Sequence, residues 1–265
     1  MSSTITAENY FSRENQLKYM GSSQFKSFLK CEAGALAEIN GEYEREVTSA
    51  LLIGSYVDAH YEGTLDIFKA QTPQIFTQKG ELKAEYRHAD VIIQRAERDP
   101  LFSQYMSGEK QVIFTGEIAG VPYKIKVDSY HPDRCIVDLK CIKDFSDVYD
   151  CENHMYQNFI DYWGYTYQGA IYQEIVRQNT GKTLPFYIAA VTKEKEPDLN
   201  VIYIPDNVLT EKLDTIKQLS PRFEKIKRGE LTPQKCDCCN YCKFTKVLTQ
   251  PLNYSEMIAE EIIDV

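Results

Sequence analysis

The chain has no apolar run approaching the roughly 18 residues of a membrane-spanning helix, and no repeat or low-complexity tract. Its first twenty residues, MSSTITAENYFSRENQLKYM, lack the apolar core of a secretory leader. These absences lead us to expect a cytoplasmic protein without a membrane partner. Tryptophan occurs once and histidine four times, and no G-x-S-x-G or Ser–His–Asp pattern is present, so nothing favours a covalent serine nucleophile. A positive charge excess is missing as well: 39 acidic residues outnumber 30 basic ones, giving a net charge of −9. A polyanion would therefore have to be held locally rather than by the whole surface. Eight cysteines without a leader argue against a disulfide scaffold, because cytosolic thiols stay reduced. At 43% hydrophobic, the 265 residues suffice for one large domain with a real core.

What is present is ordered. Ser22 or Ser23 can cap a helix over 22–39, where Phe25, Phe28, Leu29, Ala33 and Leu36 make one apolar stripe. Asn40-Gly41-Glu42 breaks it. A second, largely buried helix over 47–60 carries Gly54, Asp58 and His60, and an amphipathic helix over 84–98 ends near Asp99-Pro100. The period then changes to two. KQVIFTGEIAG and VPYKIKVDSY alternate across Ala119-Gly120, a tight hairpin signal, and RCIVDLKC follows the His131-Pro132-Asp133 turn as a third strand. A long aromatic-rich helix over 156–178, the strands FYIAAVTK and LNVIYIP, and a helix over 208–228 complete the order. The pattern predicts an α/β fold with a mixed central sheet flanked by helices, plus a helical N-terminal layer. We read one domain: a mainly helical part over 1–108, a core over 109–230 and a cysteine segment over 231–247.

Two local basic groups stand out. Residues 222–247 hold seven Lys or Arg against three acids, and Lys124, Lys126, Lys140 and Lys143 surround the third strand. Either is a phosphate track or an ordinary solvated face.

Within IVDLK, residues 136–140, Asp138 and Lys140 share one face of a strand and Leu139 takes the other. Burying two charges costs several kcal/mol unless they pair or serve a site, so this is either an ion pair or one edge of an active site. Asp128 ends the preceding strand. Across a short turn the two carboxylates can approach, and they repel unless a proton or cation lies between them. Oxygen ligands suit Mg²⁺ or Mn²⁺. Lys140 could then orient and deprotonate a water, with the metal stabilising charge on a phosphodiester. Glu117, on a nearby strand, reads as a surface carboxylate.

Asp128 followed by Asp138-Leu139-Lys140 resembles the PD-(D/E)xK nuclease superfamily. Gln168 and Tyr172, an i,i+4 pair, give the Q-x-x-x-Y of its RecB-type branch. Gly54 to Asp58 is similar to that branch's G-x-x-x-H, with Asp58 where a histidine often stands. Asp58 remains a hard ligand; His60 is the alternative, two positions on and roughly 200° around the helix. The segments GSSQFKSFLKCEAGA and GSYVDAHYEGTLDIF look most like phage and prophage RecE-like exonucleases. The resemblance implies a restriction-endonuclease-like core in which Asp58, Asp128, Asp138 and the Leu139 carbonyl hold Mg²⁺ or Mn²⁺. Lys140 would position the nucleophile, and Gln168 and Tyr172 would orient Lys140 or the substrate strand. It also implies an oligomeric exonuclease that digests one strand from double-stranded DNA ends and hands the other to a single-strand annealing protein. Strand polarity and exonuclease against endonuclease action do not follow from the residues.

Cys236, Cys239 and Cys242 form C-x-x-C-x-x-C, with Cys238 extra. Three thiolates need a fourth ligand for tetrahedral zinc or a four-iron cluster. Cys238 is crowded; Cys31 lies 205 residues upstream. The RecB-type resemblance implies that Cys31, Cys236, Cys239 and Cys242 hold a 4Fe-4S iron–sulfur cluster that staples the chain ends, with zinc and unligated thiols as alternatives. Cys135, Cys141 and Cys151 read as small core or surface residues. Two other functions remain open: a CRISPR-adaptation-type iron–sulfur nuclease, told apart by its need for a free DNA end, and a non-catalytic, metal-stapled DNA-binding module in which Asp138 and Lys140 are only an ion pair.

Overall fold

A computed structural model describes residues 5–150, 154–251, 253 and 254; Cys151 lies outside them. Seven helices come first: α1 Arg13–Lys18, α2 Ser22–Lys30, α3 Glu32–Asn40, α4 Ser49–Glu62, α5 Leu65–Gln71, α6 His88–Glu97 and α7 Pro100–Tyr105. The helix expected over 22–39 is thus two. Cys31 takes an extended backbone, φ −162° and ψ 108°, and its sulfur accepts the Gly34 N–H at 3.3 Å as the N-cap of α3. No serine side chain caps α2, whose N-cap is Gly21. The α4 helix starts with the Thr48 hydroxyl accepting the Leu51 N–H and stops at Gly63 in the left-handed region.

Strands β1 Glu109–Ile118, β2 Val121–His131 and β3 Cys135–Ile142 follow as read. Ala119 and Gly120 both have positive φ, 50° and 78°, which matches the twist a two-residue hairpin turn requires. The next stretch departs from expectation. In place of a helix over 156–178 come β4 Val148–Asp150, β5 Met155–Gln157, a short α8 Phe159–Tyr162 and then α9 Tyr165–Thr180. Gly164, at φ +63°, makes the break between the two helices. Strands β6 Phe186–Thr192 and β7 Leu199–Ile204, helix α10 Asp206–Lys227 and α11 Asn240–Phe244 end the described chain.

The main sheet runs β1-β2-β3-β6-β7, with β3 and β6 parallel and the other neighbours antiparallel. A core lies on each face. Ile136 and Ile142 of β3 join Phe25, Phe28, Ile171 and Phe223 from α2, α9 and α10, while Val137 and Leu139 join Val57, Ile92 and Phe102 from α4, α6 and α7. The alternation along β3 therefore feeds both cores. It leaves Asp138 and Lys140 on the α2–α9 side, where no aliphatic residue could replace them without filling a polar cleft.

Candidate active site

The β2–β3 pairing is antiparallel over Ser129↔Val137, Tyr130↔Ile136 and His131↔Cys135, and there it ends. Continued by one step, the register would set Asp128 opposite Asp138. Instead the strands part, and the Asp128 carboxylate takes the place of the missing ladder partner: its Oδ2 accepts the Leu139 N–H at 2.8 Å. The turn feeding this geometry is tight, with Arg134 N–H donating to the His131 carbonyl at 3.0 Å and Asp133 at φ +65°.

A cavity of about 400 Å³ opens where the strands part. Asp58, Glu62, Asp128, Asp138, Lys140, Lys126 and Gln168 are among the residues lining it. Asp138 is only 2% exposed. Its Oδ1 accepts Gln168 Nε2 at 2.5 Å, and Gln168 Oε1 accepts the Lys26 ammonium at 3.1 Å. Its Oδ2 is buried against the Lys140 ammonium without an aligned hydrogen bond. Lys140 also donates to the Leu139 carbonyl at 3.2 Å and lies over the Tyr165 ring.

The electrostatics follow from this crowding. Burial, and then the charge of Asp138, push the Asp128 carboxyl up to about 8. Asp58 faces the cavity and is open to solvent, yet protein surrounds it closely; burial raises it to about 7, with Lys140 opposing and Asp138 and Glu62 adding. Burial disfavours the charge on Lys140, but Asp138 and Asp128 outweigh it and hold its pKa above the ordinary value. Lys26 goes the other way: burial, then Lys140, lower it to about 7.

The expected residues divide clearly. Asp58, Asp128, Asp138, Leu139, Lys140, Gln168 and Tyr172 all line the one cavity. His60 does not; its Nε2 lies 2.8 Å from Glu97. Glu117 sits outside the cavity, its N–H bonded to Gln178. The Tyr172 hydroxyl donates to the Lys126 carbonyl at 3.0 Å. Sequence reasoning missed Glu62, which accepts from Lys126 at 3.2 Å, although its i,i+4 spacing from Asp58 on α4 was a usable signal. It also missed Lys26, for which no local pattern existed. A neighbouring cavity of about 480 Å³, lined by Arg13, Glu38 and Arg45 among others, holds none of the clustered aspartates.

The donor set suits a hard divalent ion. Two raised carboxylates and a buried Asp138 whose Oδ2 meets only the Lys140 ammonium line one cavity, an oxygen-rich set of the kind Mg²⁺ or Mn²⁺ takes. The carboxylates are looser than the cysteines, which form the one compact set of ligand atoms among the described residues: the sulfurs of Cys31, Cys236, Cys239 and Cys242 all lie within 4.8 Å of one another. Burial opposes the Cys236 thiolate, but the backbone N–H groups of Cys238 and Cys239 outweigh it and lower the thiol to about 6. Cys135 and Cys141 lie elsewhere, buried and half-buried.

Of the two basic groups, the one around β3 reaches the cleft through Lys124, Lys126 and Lys140. The 222–247 segment is partly spent on structure. Arg222 pairs with Glu32, Lys227 and Arg228 pair with Glu224, and Lys227 also donates to the Tyr19 carbonyl.

The comparisons with known proteins agree with this geometry. Residues 21–245 match a family described as a PDDEXK-like domain of unknown function. A crystal structure of a protein from Eubacterium rectale, described as a "Putative exonuclease", is 46% identical, covers 98% of this chain and 100% of its own, and superposes with a TM-score of 0.90. A second solved structure, of SSO0001, is 16% identical over 79% of this chain and 97% of its own, with a TM-score of 0.25. Among curated proteins none matches. The parted strands, the aspartates at their fork and the match over residues 21–245 make this chain a member of the PDDEXK-like family, within the PD-(D/E)xK nuclease superfamily.

Proposed function

We propose that the chain is a metal-dependent deoxyribonuclease that hydrolyses phosphodiesters from the ends of linear duplex DNA. The observation that carries this reading is the fork between β2 and β3, where buried Asp138 turns a carboxylate oxygen without an aligned donor toward Lys140 in an acidic cleft. Asp58, Asp128, Asp138 and the Leu139 carbonyl would hold Mg²⁺ or Mn²⁺, which supplies charge stabilisation at the phosphodiester and a water that ionises more readily. The chain's own residues do the rest. Lys140 stays an ammonium beside Asp138, so it orients the incoming water and offsets negative charge. Gln168 locks the Asp138 carboxylate and ties it to Lys26. Tyr172 positions α9 against β2 from the cleft wall. Lys126, held by Glu62, is the cation beside Lys140 that would meet the phosphates, whereas Lys124 is buried against the Tyr10 carbonyl and burial draws charge from Lys26.

Action from an end is supported by the word "exonuclease" in the description of the Eubacterium rectale relative. A place in phage-type recombination, a homo-oligomeric state and a single-strand annealing partner extend the proposal on the RecE-like resemblance of the sequence.

The test is digestion of end-labelled linear and covalently closed duplex DNA with Mg²⁺ or Mn²⁺, comparing the native chain with Asp138→Ala. Shortening of linear DNA alone, lost in the variant, is the expected result. Cutting of closed circles would replace the exonuclease reading by an endonuclease one. If native chain and variant leave every substrate intact, the nuclease reading fails and a binding module takes its place.

A further inference from the structure

The four cysteines sit too close together for the cluster that the family resemblance implies. Cys31 Sγ lies 3.6 Å from Cys242 Sγ, and Cys236 Sγ lies 3.9 Å from Cys242 Sγ. All four sulfurs fall within 4.8 Å of one another. Four thiolates around one tetrahedral ion, each about 2.3 Å from it, stand about 3.8 Å apart. In a four-iron cluster each thiolate binds a different iron. Its sulfurs are therefore spread by the single-ion spacing and a further iron–iron edge. We propose that Cys31, Cys236, Cys239 and Cys242 bind a single tetrahedral zinc ion that fastens the α2–α3 corner to residues 234–244.

The spacing is not the work of the thiols alone, because a separate framework holds the two segments together. Glu32 takes a bidentate pair from Arg222 at 2.7 and 2.8 Å, and its carboxylate also accepts the Gln234 N–H at 2.8 Å. The Ala33 N–H donates to the Gln234 carbonyl at 3.0 Å. These bonds set the backbone on both sides of the sulfurs without any metal. The sulfurs are also served by backbone donors: Gly34 N–H to Cys31, Cys239 N–H to Cys236 and Cys242 N–H to Cys239, at 3.3, 3.4 and 3.4 Å. Such outer contacts offset thiolate charge and fix ligand direction. Cys238 lies 3.6 Å from Cys236, but it is exposed and outside the compact set of four. The break at Cys31 now has a chemical reason: a continuous helix over 22–39 would not present that sulfur at a corner.

This inference is independent of the nuclease reading, since its readout needs no DNA. The full chain is produced with both iron and zinc supplied, purified without oxygen, and its metal content measured together with its visible absorption. One zinc per chain and no iron–sulfur chromophore are expected. X-ray absorption at the zinc edge should give four sulfurs at about 2.3 Å. Cys238→Ser should keep the metal and Cys242→Ser should lose it. If Cys242→Ser does not fold, the metal content and absorption of the native chain decide alone. About four irons per chain with a brown chromophore, or a metal-free chain with every thiol reactive, would overturn the proposal.

Discussion

Asp138 has its two oxygens in different company, and that asymmetry sets what each neighbour is worth. Gln168 is largely buried and its amide is spent on Asp138 and Lys26, so it acts by orienting that carboxylate. Gln168→Leu should lower kcat by about 10–100-fold, the usual cost of losing an outer-shell partner. The apparent Mg²⁺ affinity should fall with it while KM for DNA holds, as single-turnover titrations would read. The raised carboxylates make a second prediction. Asp128 titrates at about 8 and Asp58 at about 7 in the folded chain, against about 3.9 when unfolded. The native state thus binds these protons more tightly, and between pH 4 and pH 8 stability falls as pH rises. Thermal melts of the Mg²⁺-free chain should be lower at pH 8.5 than at pH 6. Asp128→Asn should flatten that slope and excess Mg²⁺ should reverse it; a slope of the opposite sign would contradict the burial of Asp128. At this scale strand period sets Asp138 and Lys140 on one face and the turn brings Asp128 near them, whereas Asp58 comes only from the resemblance to G-x-x-x-H; all four line one cavity. Lys26 was not legible, since it meets Gln168 across 142 residues of chain and only the packing of α2 on α9 joins them.

Elements with one clear period were easy to read, and those rich in aromatics were not. The hairpin strands β1 and β2 pair in one register on either side of Gln111, and Ala119-Gly120 supplies turn chemistry. In YQNFIDYWGYTYQ apolar rings fall at nearly every spacing, so helix and strand periods fit alike, and the reading ran β5, α8 and α9 together. Gly164 was the one available warning. An added Cβ there would sit in the left-handed region and 3.0 Å from Lys26 Cδ. Gly164→Ala should destabilise the fold by about 1–2 kcal/mol, seen as a lower urea midpoint with unchanged slope. It should also weaken the Lys26–Gln168 contact, so the loss in activity should exceed what the stability change explains. The split at Cys31 escaped notice for a different reason. A sulfur capping α3 leaves no mark in composition, and the apolar stripe continues across the break.

The whole molecule is a sheet with a core on each face, and that much followed from the order of elements. Charge was harder to place. The 222–247 segment is rich in Lys and Arg, yet Arg222, Lys227 and Arg228 hold the molecule together, because whether a cation is free depends on acids far away in sequence. Among the described residues no helix is long and apolar enough to cross a membrane. On the zinc proposal, a strong chelator should lower the melting temperature of the whole chain. At about 2–4 °C per kcal/mol for a domain of this size, a loss of roughly 5–10 °C is expected in calorimetry. Withdrawing Mg²⁺ alone should leave that transition's cooperativity unchanged.

The joint between Cys31 and Cys242 spans 211 residues, and this distance sets a timetable. A nascent chain emerges from its N-terminus, so every cleft residue, from Tyr10 to Tyr172, is made before the first of the three late thiols at Cys236. A chain that stalls between these points carries a complete set of cleft side chains and three-quarters of its fastening thiols missing. Synthesis therefore makes the cleft before the thiols that join α3 to residues 234–244.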